Sequence, residues 1–279
     1  MNVPTSLPFG AEAGAVPLLG FGTSPLTGGL SSDTVLAALR AGYRHIDTAR
    51  KYRTEPAVGE AMRASGLKRE DIFLTTKVSH ENLRASDFAR SVDESLAALK
   101  VDYVDLLLIH WPNPAIPLSE CMPALAKAKR QGLARHIGVA NFNVALLDEA
   151  VKLCREPLVA LQAEYHPYLE QAKLLAAARR HKLVFIAHCP LGRGRLFDDS
   201  VLGDIAKARG RTIAQIALRW LIQQDIAAIP FSSKAQRIAE NFDVFDFTLS
   251  DDEMKRIAGL KRVNGRIANP VERVSGGWD

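Results

Sequence analysis

The chain has 279 residues, 47% of them apolar and 24% charged, the usual mix of a folded globular protein and not that of a disordered one. Its formal net charge of +5 comes from scattered Lys and Arg with no aromatic-basic stripe, which argues against a nucleic-acid partner. No apolar run reaches membrane-spanning length, no basic-then-apolar leader opens the chain, and Cys121, Cys154 and Cys189 are odd in number and form no CxxC; a cytoplasmic protein with free thiols is expected.

Residues 7–9 and 15–18 flank Gly10 to Gly14 and predict a short hairpin ahead of the main fold. Residues 18–23 read as a buried strand, followed by a helix over 32–41 for which Ser31, Ser32 and Asp33 supply capping side chains. Strands at 43–47, 72–77, 103–110, 136–139, 159–164, 183–187 and 226–229 then alternate with helices at 55–65, 86–99, 118–130, 144–153, 170–180, 212–223 and 234–240. The run from Val104 to Ile109 is too apolar for a sheet with one wet face, so both its faces should be covered. Eight strand-helix units imply parallel pairing and closure into an α/β fold, a (β/α)8 TIM barrel preceded by an N-terminal hairpin. Helices near 201–209 and 250–260 fall outside the repeat. No linker-like stretch interrupts the chain, so residues 1–279 are expected to form a single barrel domain.

In such a barrel the side chains at the carboxyl ends of the strands face the active-site mouth. Those positions hold Thr23, Asp47, Lys77, His110, Asn141, Gln162, His188 and Ser232. Tyr52 joins them from the loop five residues beyond Asp47. Singly, Asp47 reads as a loop cap, Lys77 as a surface lysine, His110 as a satisfied strand-end histidine and Tyr52 as a packed aromatic. An acid, a lysine, a histidine and a tyrosine converging from separate strands read instead as proton-transfer chemistry.

The segment Gly42-Tyr43-Arg44-His45-Ile46-Asp47-Thr48-Ala49, with Tyr52 and Glu55 beyond it, resembles the signature of the aldo-keto reductases. Further matches are LLIHWP (107–112), GVANF (138–142), QAEYHP (162–167), Pro190 to Gly192, Ile229-Pro230 and Arg237-Ile238-Ala239-Glu240-Asn241. They keep their order over essentially the whole chain, and the resemblance is to bacterial members of the 2,5-diketo-D-gluconate reductase type. It implies reduction of aldehydes and ketones with a nicotinamide cofactor, and a catalytic tetrad falling on Asp47, Tyr52, Lys77 and His110. The physical reading agrees with that assignment. A carbonyl oxygen gains negative charge on reduction and needs a proton, which Tyr52 can donate. A tyrosine pKa of about 10 is high for the task, and the Lys77 ammonium is expected to lower it, with Asp47 holding Lys77 and neutral His110 orienting the carbonyl.

A Rossmann site is unsupported, because Gly20-Phe21-Gly22-Thr23-Ser24-Pro25 breaks at the last position of GxGxxG. The resemblance implies a cofactor held by Gly22, Thr23, Asp47, Asn141, Gln162 and His188, with Asn141 and Gln162 on the nicotinamide carboxamide. The loop from Pro190 to Arg195, with Pro190, Leu191 and Gly192 among its residues, would cross the pyrophosphate, and Ser232, Arg237, Glu240 and Asn241 would meet the adenosine end. Three residues depart from the pattern. Ala140 replaces a common serine, so one contact of about 1 kcal/mol is expected to be missing. His188 replaces a stacking tyrosine and, with an ordinary pKa of about 6.5, is expected to gain charge and repel the oxidised ring as pH falls. Phe231 replaces a lysine that meets the 2′-phosphate. NADPH use with a weakened preference over NADH follows, because Arg237 can still reach that phosphate, with help from Ser232 or Lys234.

Substrate contacts are expected from Tyr52, His110 and Trp111, with Phe21 and Trp278 completing an aromatic wall. The tail over 263–279 is short and polar and is expected to be mobile, leaving an open pocket for small aldehydes or sugar-like dicarbonyls. A monomer is the default. Two other classes compete: a nicotinamide-binding regulatory subunit with little turnover, and a barrel hydrolase with metal on His110, His188 and Asp47. The intact tetrad disfavours the first, and Lys77 amid the ligands disfavours the second.

Overall fold

The chain was analysed as a computed structural model that describes residues 5–24, 29–268, 274 and 277–279. Strands β1 (Ser6–Pro8) and β2 (Ala15–Pro17) pair antiparallel, as the hairpin pattern predicts. Phe9 and Val16, beside this hairpin, join Leu106, Leu108, Val159 and Ile186 in a buried cluster that fills the inside of the barrel.

The barrel wall is β3 (Gly20–Gly22), β4 (His45–Asp47), β5 (Phe73–Val78), β6 (Val104–Ile109), β7 (Ala134–Ala140), β8 (Leu158–Glu164), β9 (Val184–His188) and β10 (Ala227–Ala228). Each strand pairs in parallel with the next. A parallel bridge between Leu19 and Ala228, with Ala228 N donating to Leu18 O at 2.8 Å, joins the last strand to the first and closes the ring. All six residues of β6 are buried, as a strand with both faces covered requires.

The repeat helices are α1 (Ser32–Ala41), α2 (Glu55–Ala64), α3 (Ala85–Leu99), α4 (Leu118–Arg130), α5 (Val144–Leu153) and α6 (Ala172–Arg180). The supernumerary α7 (Ser200–Arg209) precedes α8 (Ile213–Ile222), and α9 (Ala235–Phe242) and α10 (Asp251–Ala258) end the series. Among the described residues no helix is long and apolar enough to cross a membrane.

At three places the observed boundaries differ from the sequence expectation for a reason the backbone shows. Tyr43 donates its N–H to Ala38 O (3.1 Å) and Gly42, at φ +111°, donates to Leu39 O (3.2 Å), so α1 closes through the first residues of the expected strand and β4 starts only at His45. Likewise Glu170 Oε1 accepts from the backbone N–H groups of Gln171 and Ala172, both at 3.0 Å, so it caps α6 instead of entering it. The last strand stops at Ala228, two residues short of Pro230, which has no N–H to continue a ladder.

Candidate active site

A cavity of about 300 Å³ opens at the carboxyl ends of the strands. Of the residues singled out from sequence, Gly22, Thr23, Asp47, Tyr52, His110, Trp111, Asn141, Gln162, His188, Pro190 and Leu191 line it. Lys77, Gly192, Ser232, Arg237, Glu240 and Asn241 are not in its wall. Lys77 and Asn241 are buried, Arg237 stands exposed on α9, and Glu240 accepts from Gln236 Nε2 at 2.7 Å. Among the described residues no group of three or more His, Cys, Asp or Glu side chains could hold a metal ion, so Asp47, His110 and His188 do not form a ligand set.

At the cavity floor, where Asp47 lines the wall and Lys77 lies behind it, is an ion pair with almost no exposure to water. Lys77 Nζ donates to Asp47 Oδ1 at 2.5 Å and to Thr48 O at 3.0 Å, with side-chain exposures of 0% and 2% for the lysine and the acid. The other oxygen, Asp47 Oδ2, accepts from Gln162 Nε2 at 2.8 Å. Burial drives the Lys77 ammonium below its usual range, and the Asp47 carboxylate opposes that shift. Lys77 therefore faces Asp47, and its Nζ stands 5.2 Å from the centre of the Tyr52 ring.

Tyr52 sits on a 3-10 turn spanning Arg50–Tyr52, on the loop that follows β4. Its hydroxyl is 3.3 Å from His110 Nε2, and the two rings meet edge to face. The sequence argument expects Lys77 to lower the Tyr52 pKa, whereas burial, with the Asp47 carboxylate adding to it, holds that pKa above its usual range. Lys77 does not offset this burial, because its ammonium is held by Asp47 at contact distance and leaves little positive field to favour phenolate.

Asn141 ends β7 in the left-handed region, at φ +62°, which asparagine tolerates better than most side chains. Its Nδ2 donates to the His110 backbone oxygen at 2.8 Å, so its Oδ1 is the acceptor for His188 Nε2–H, also at 2.8 Å. That bond fixes the His188 tautomer. Burial then lowers the His188 pKa to about 4, with Glu164 opposing the shift. The expected charging of His188 near neutral pH is thus corrected: the ring is neutral across the physiological range.

The other two departures also acquire a place. Ala140 is fully buried and packs in the cluster inside the barrel, below the cavity. Phe231 lines the cavity and packs against Phe21, ring centres 6.0 Å apart. Phe21 itself is buried behind it and is not part of the wall, contrary to the expectation of a substrate contact. Trp278 meets Trp111 edge to face at 6.1 Å, without reaching the wall. Glu55, the last residue of the motif, is a buried carboxylate that accepts from Thr76 Oγ1 at 2.7 Å on the helix side of the barrel, away from the cavity.

Sequence reasoning missed Ser24, Cys189 and Ala268 in the wall and Glu164 just behind it, and reached Arg193 only as part of the loop over 190–195. Cys189 and Arg193 both adopt left-handed backbone, at φ +51° and +50°, which turns the loop after β9 over the cavity. No local pattern announces such a bend. For Glu164 a signal exists: it stands two residues beyond Gln162 on the same strand, hence on the same face. Of the tail expected to be mobile, residues 269–273 and 275–276 lie outside the described residues. The described part is fastened: Val274 is buried, Asn143 Nδ2 donates to Gly277 O at 2.8 Å, and Val144 N donates to Asp279 Oδ2 at 2.8 Å.

The cavity's composition fits a nicotinamide nucleotide. Two primary amides, Asn141 and Gln162, stand among the His188, Phe231 and Trp111 rings, and the Arg193 side chain supplies a cation beside them. The profile of the Aldo/keto reductase family matches residues 18–262 of the chain. The chain belongs to the aldo/keto reductase family. It is 42% identical over 245 residues to an aldo-keto reductase of Mycolicibacterium paratuberculosis, covering 88% of this chain and 86% of the relative. It is 37% identical over 268 residues to the methylglyoxal reductase DkgB of Escherichia coli O157:H7, covering 95% of this chain and 100% of the relative. A crystal structure described as a putative 2,5-diketo-D-gluconic acid reductase B superposes with a TM-score of 0.90 at 44% identity, covering 94% of each chain. As an aldo/keto reductase the protein is an NAD(P)H-dependent oxidoreductase, and its parallel eight-stranded barrel with a hairpin beneath is the family fold.

Proposed function

We propose that this protein reduces aldehydes and ketones to alcohols, with Tyr52 as proton donor. The observation that carries the reading is the Tyr52 hydroxyl 3.3 Å from His110 Nε2 at the cavity wall, directly over the buried Asp47–Lys77 pair. A bound nicotinamide would supply the hydride for the carbonyl carbon. Tyr52 Oη and His110 Nε2 together point two hydrogen-bonding groups at one spot, where the carbonyl oxygen rests. His110 orients that oxygen, and Tyr52 gives it a proton as negative charge develops there. A phenol held protonated by burial is the right starting form for a donor, since it keeps its proton until an alkoxide of higher basicity appears.

Asp47 and Lys77 serve this step from below: the pair is neutral overall, and Gln162 is tied to its second oxygen, so the floor is rigid. Asn141 and Gln162 would hold the nicotinamide amide and His188 its ring. The 190–193 loop, with Arg193, would lie along the diphosphate. Ser232, Arg237, Glu240 and Asn241 lie outside the cavity wall, in keeping with an adenosine end that extends past it. NADPH is the favoured cofactor through Arg237, and Phe231, which offers no charge to a 2′-phosphate, weakens that preference. Small aldehydes and dicarbonyls are the substrate class, argued from the modest cavity and the names of the relatives. The same reading has one barrel acting as a monomer in the cytoplasm, a compartment with which three free cysteines agree.

The test is oxidation of NADPH and NADH followed by absorbance with a panel of aldehydes, comparing wild type with Tyr52→Phe. Reduction should fall by about 10²–10⁴-fold in the variant, the worth of a positioned general acid. Undiminished turnover would remove Tyr52 as donor, and binding of nicotinamide without turnover by wild type would favour a regulatory role.

A further inference from the structure

Glu164, at the end of β8, is fully buried and accepts three hydrogen bonds: from His166 Nε2 at 2.9 Å, Ile267 N at 2.7 Å and Ala268 N at 2.6 Å. Burial alone would raise its pKa, yet these donors hold it down at about 2, so the carboxylate stays ionised. The two backbone donors belong to the segment after α10, and Ala268 lines the cavity. The same segment is sewn to the β8–α6 loop by Arg262 N donating to Tyr168 O at 2.9 Å. Gly265 lies so close to that loop that an added Cβ would stand 1.9 Å from Tyr168 O. Beyond it, the Arg266 guanidinium lies 3.6 Å over the Trp278 ring, and Trp278 packs edge-on against Trp111, the wall residue next to His110.

We propose that Glu164 is a positioning residue of this reductase: its carboxylate clamps the 261–268 segment against the barrel mouth and, through Ala268 and the Arg266–Trp278–Trp111 stack, shapes the wall that the carbonyl substrate rests on. The proposal rests on the carbonyl-reducing reading above. Glu164 touches neither the Tyr52 hydroxyl nor the amides of Asn141 and Gln162, so it acts on substrate fit and leaves proton donation and cofactor binding alone. Its charge opposes the lowering of the His188 pKa, so removing it leaves His188 neutral as before.

Glu164→Gln keeps the size but turns an N–H donor toward one of two backbone N–H groups, opening the clamp. In the full chain, KM for the best aldehyde should rise about tenfold, the weight of one charge-assisted hydrogen bond, while kcat and the NADPH Kd stay within about twofold. Acrylamide should quench tryptophan emission more strongly as Trp278 loosens. Gly265→Ala, which lifts the segment from Tyr168 without altering the carboxylate, should change KM and quenching in the same direction. Unchanged KM and quenching in both variants would overturn the clamp, and so would parallel losses of kcat, KM and NADPH affinity, which mark a merely structural role. Should wild type reduce no carbonyl at all, the functional reading falls, and the quenching of the two variants still decides whether Glu164 holds the segment.

Discussion

Lys77 Nζ and Asp47 Oδ1 lie 2.5 Å apart at the cavity floor, with side chains 0% and 2% exposed. A buried pair of this kind costs little while intact and a great deal when one member is removed. Asp47→Asn strands the ammonium, and urea unfolding should show a loss of about 3–5 kcal/mol. The double change Asp47→Asn, Lys77→Met removes both charges and should regain much of that stability without restoring reduction. Equal stability of the single variant and wild type would mean that water reaches Lys77.

The tautomer imposed on His188 by Asn141 Oδ1 sets a second expectation. With its pKa lowered to about 4, His188 stays neutral, so the ratio of affinities for oxidised and reduced cofactor should be flat from about pH 8 down to about pH 5. A ratio that climbs steeply between about pH 7 and 6 would place the pKa near its ordinary value.

Acid stability follows from the same groups. His45, fully buried, is also lowered to about 4, against a model-compound value of 6.5 for either histidine. Below 6.5 the unfolded chain binds these two protons and the folded one does not, so stability should fall as pH drops from 6.5 toward 4. Glu164 is lowered from 4.5 to about 2, so its contribution is present above 4.5 and lost on the way down to 2. Thermal melts across that range should show both phases, and Glu164→Gln should shrink the lower one, which Glu253, also lowered to about 2 beside Arg209, shares.

Phe231 lines the cavity and, in the proposed reading, stands where a lysine would meet the cofactor's 2′-phosphate. Phe231→Lys should raise the preference for NADPH over NADH by about tenfold, the scale of one charge-assisted contact, and Arg237→Ala should lower it. The ratio of kcat/KM for the two cofactors measures both. A wild type that strictly prefers NADH would refute the assignment of Arg237.

Gly59 on α2 has no room for a side chain, because a Cβ there would stand 2.2 Å from Leu99 O at the end of α3. Gly59→Ala should destabilise the barrel by about 1–3 kcal/mol, the usual cost of overpacking, read as a drop in Tm with kcat/KM unchanged in the folded fraction.

The alternation of apolar strands with capped amphipathic helices sufficed to predict the barrel, because a strand covered on both faces and a helix with one apolar stripe each announce themselves within a few residues. The rule that strand carboxyl ends face the mouth put Thr23, Asp47, His110, Asn141, Gln162 and His188 where they line the cavity, though Lys77 and Ser232, chosen by the same rule, are not in its wall. Sequence could not say which groups would neutralise one another. That Lys77 spends its charge on Asp47, that burial keeps His188 neutral while Asn141 fixes its tautomer, and that Glu164 reaches across about a hundred residues of chain to two backbone amides depend on burial and on contacts between distant segments. Residue types and their spacing determined what chemistry this chain could carry; only the packed barrel, by excluding water and closing distances to under 3 Å, decided the protonation state in which each group stands.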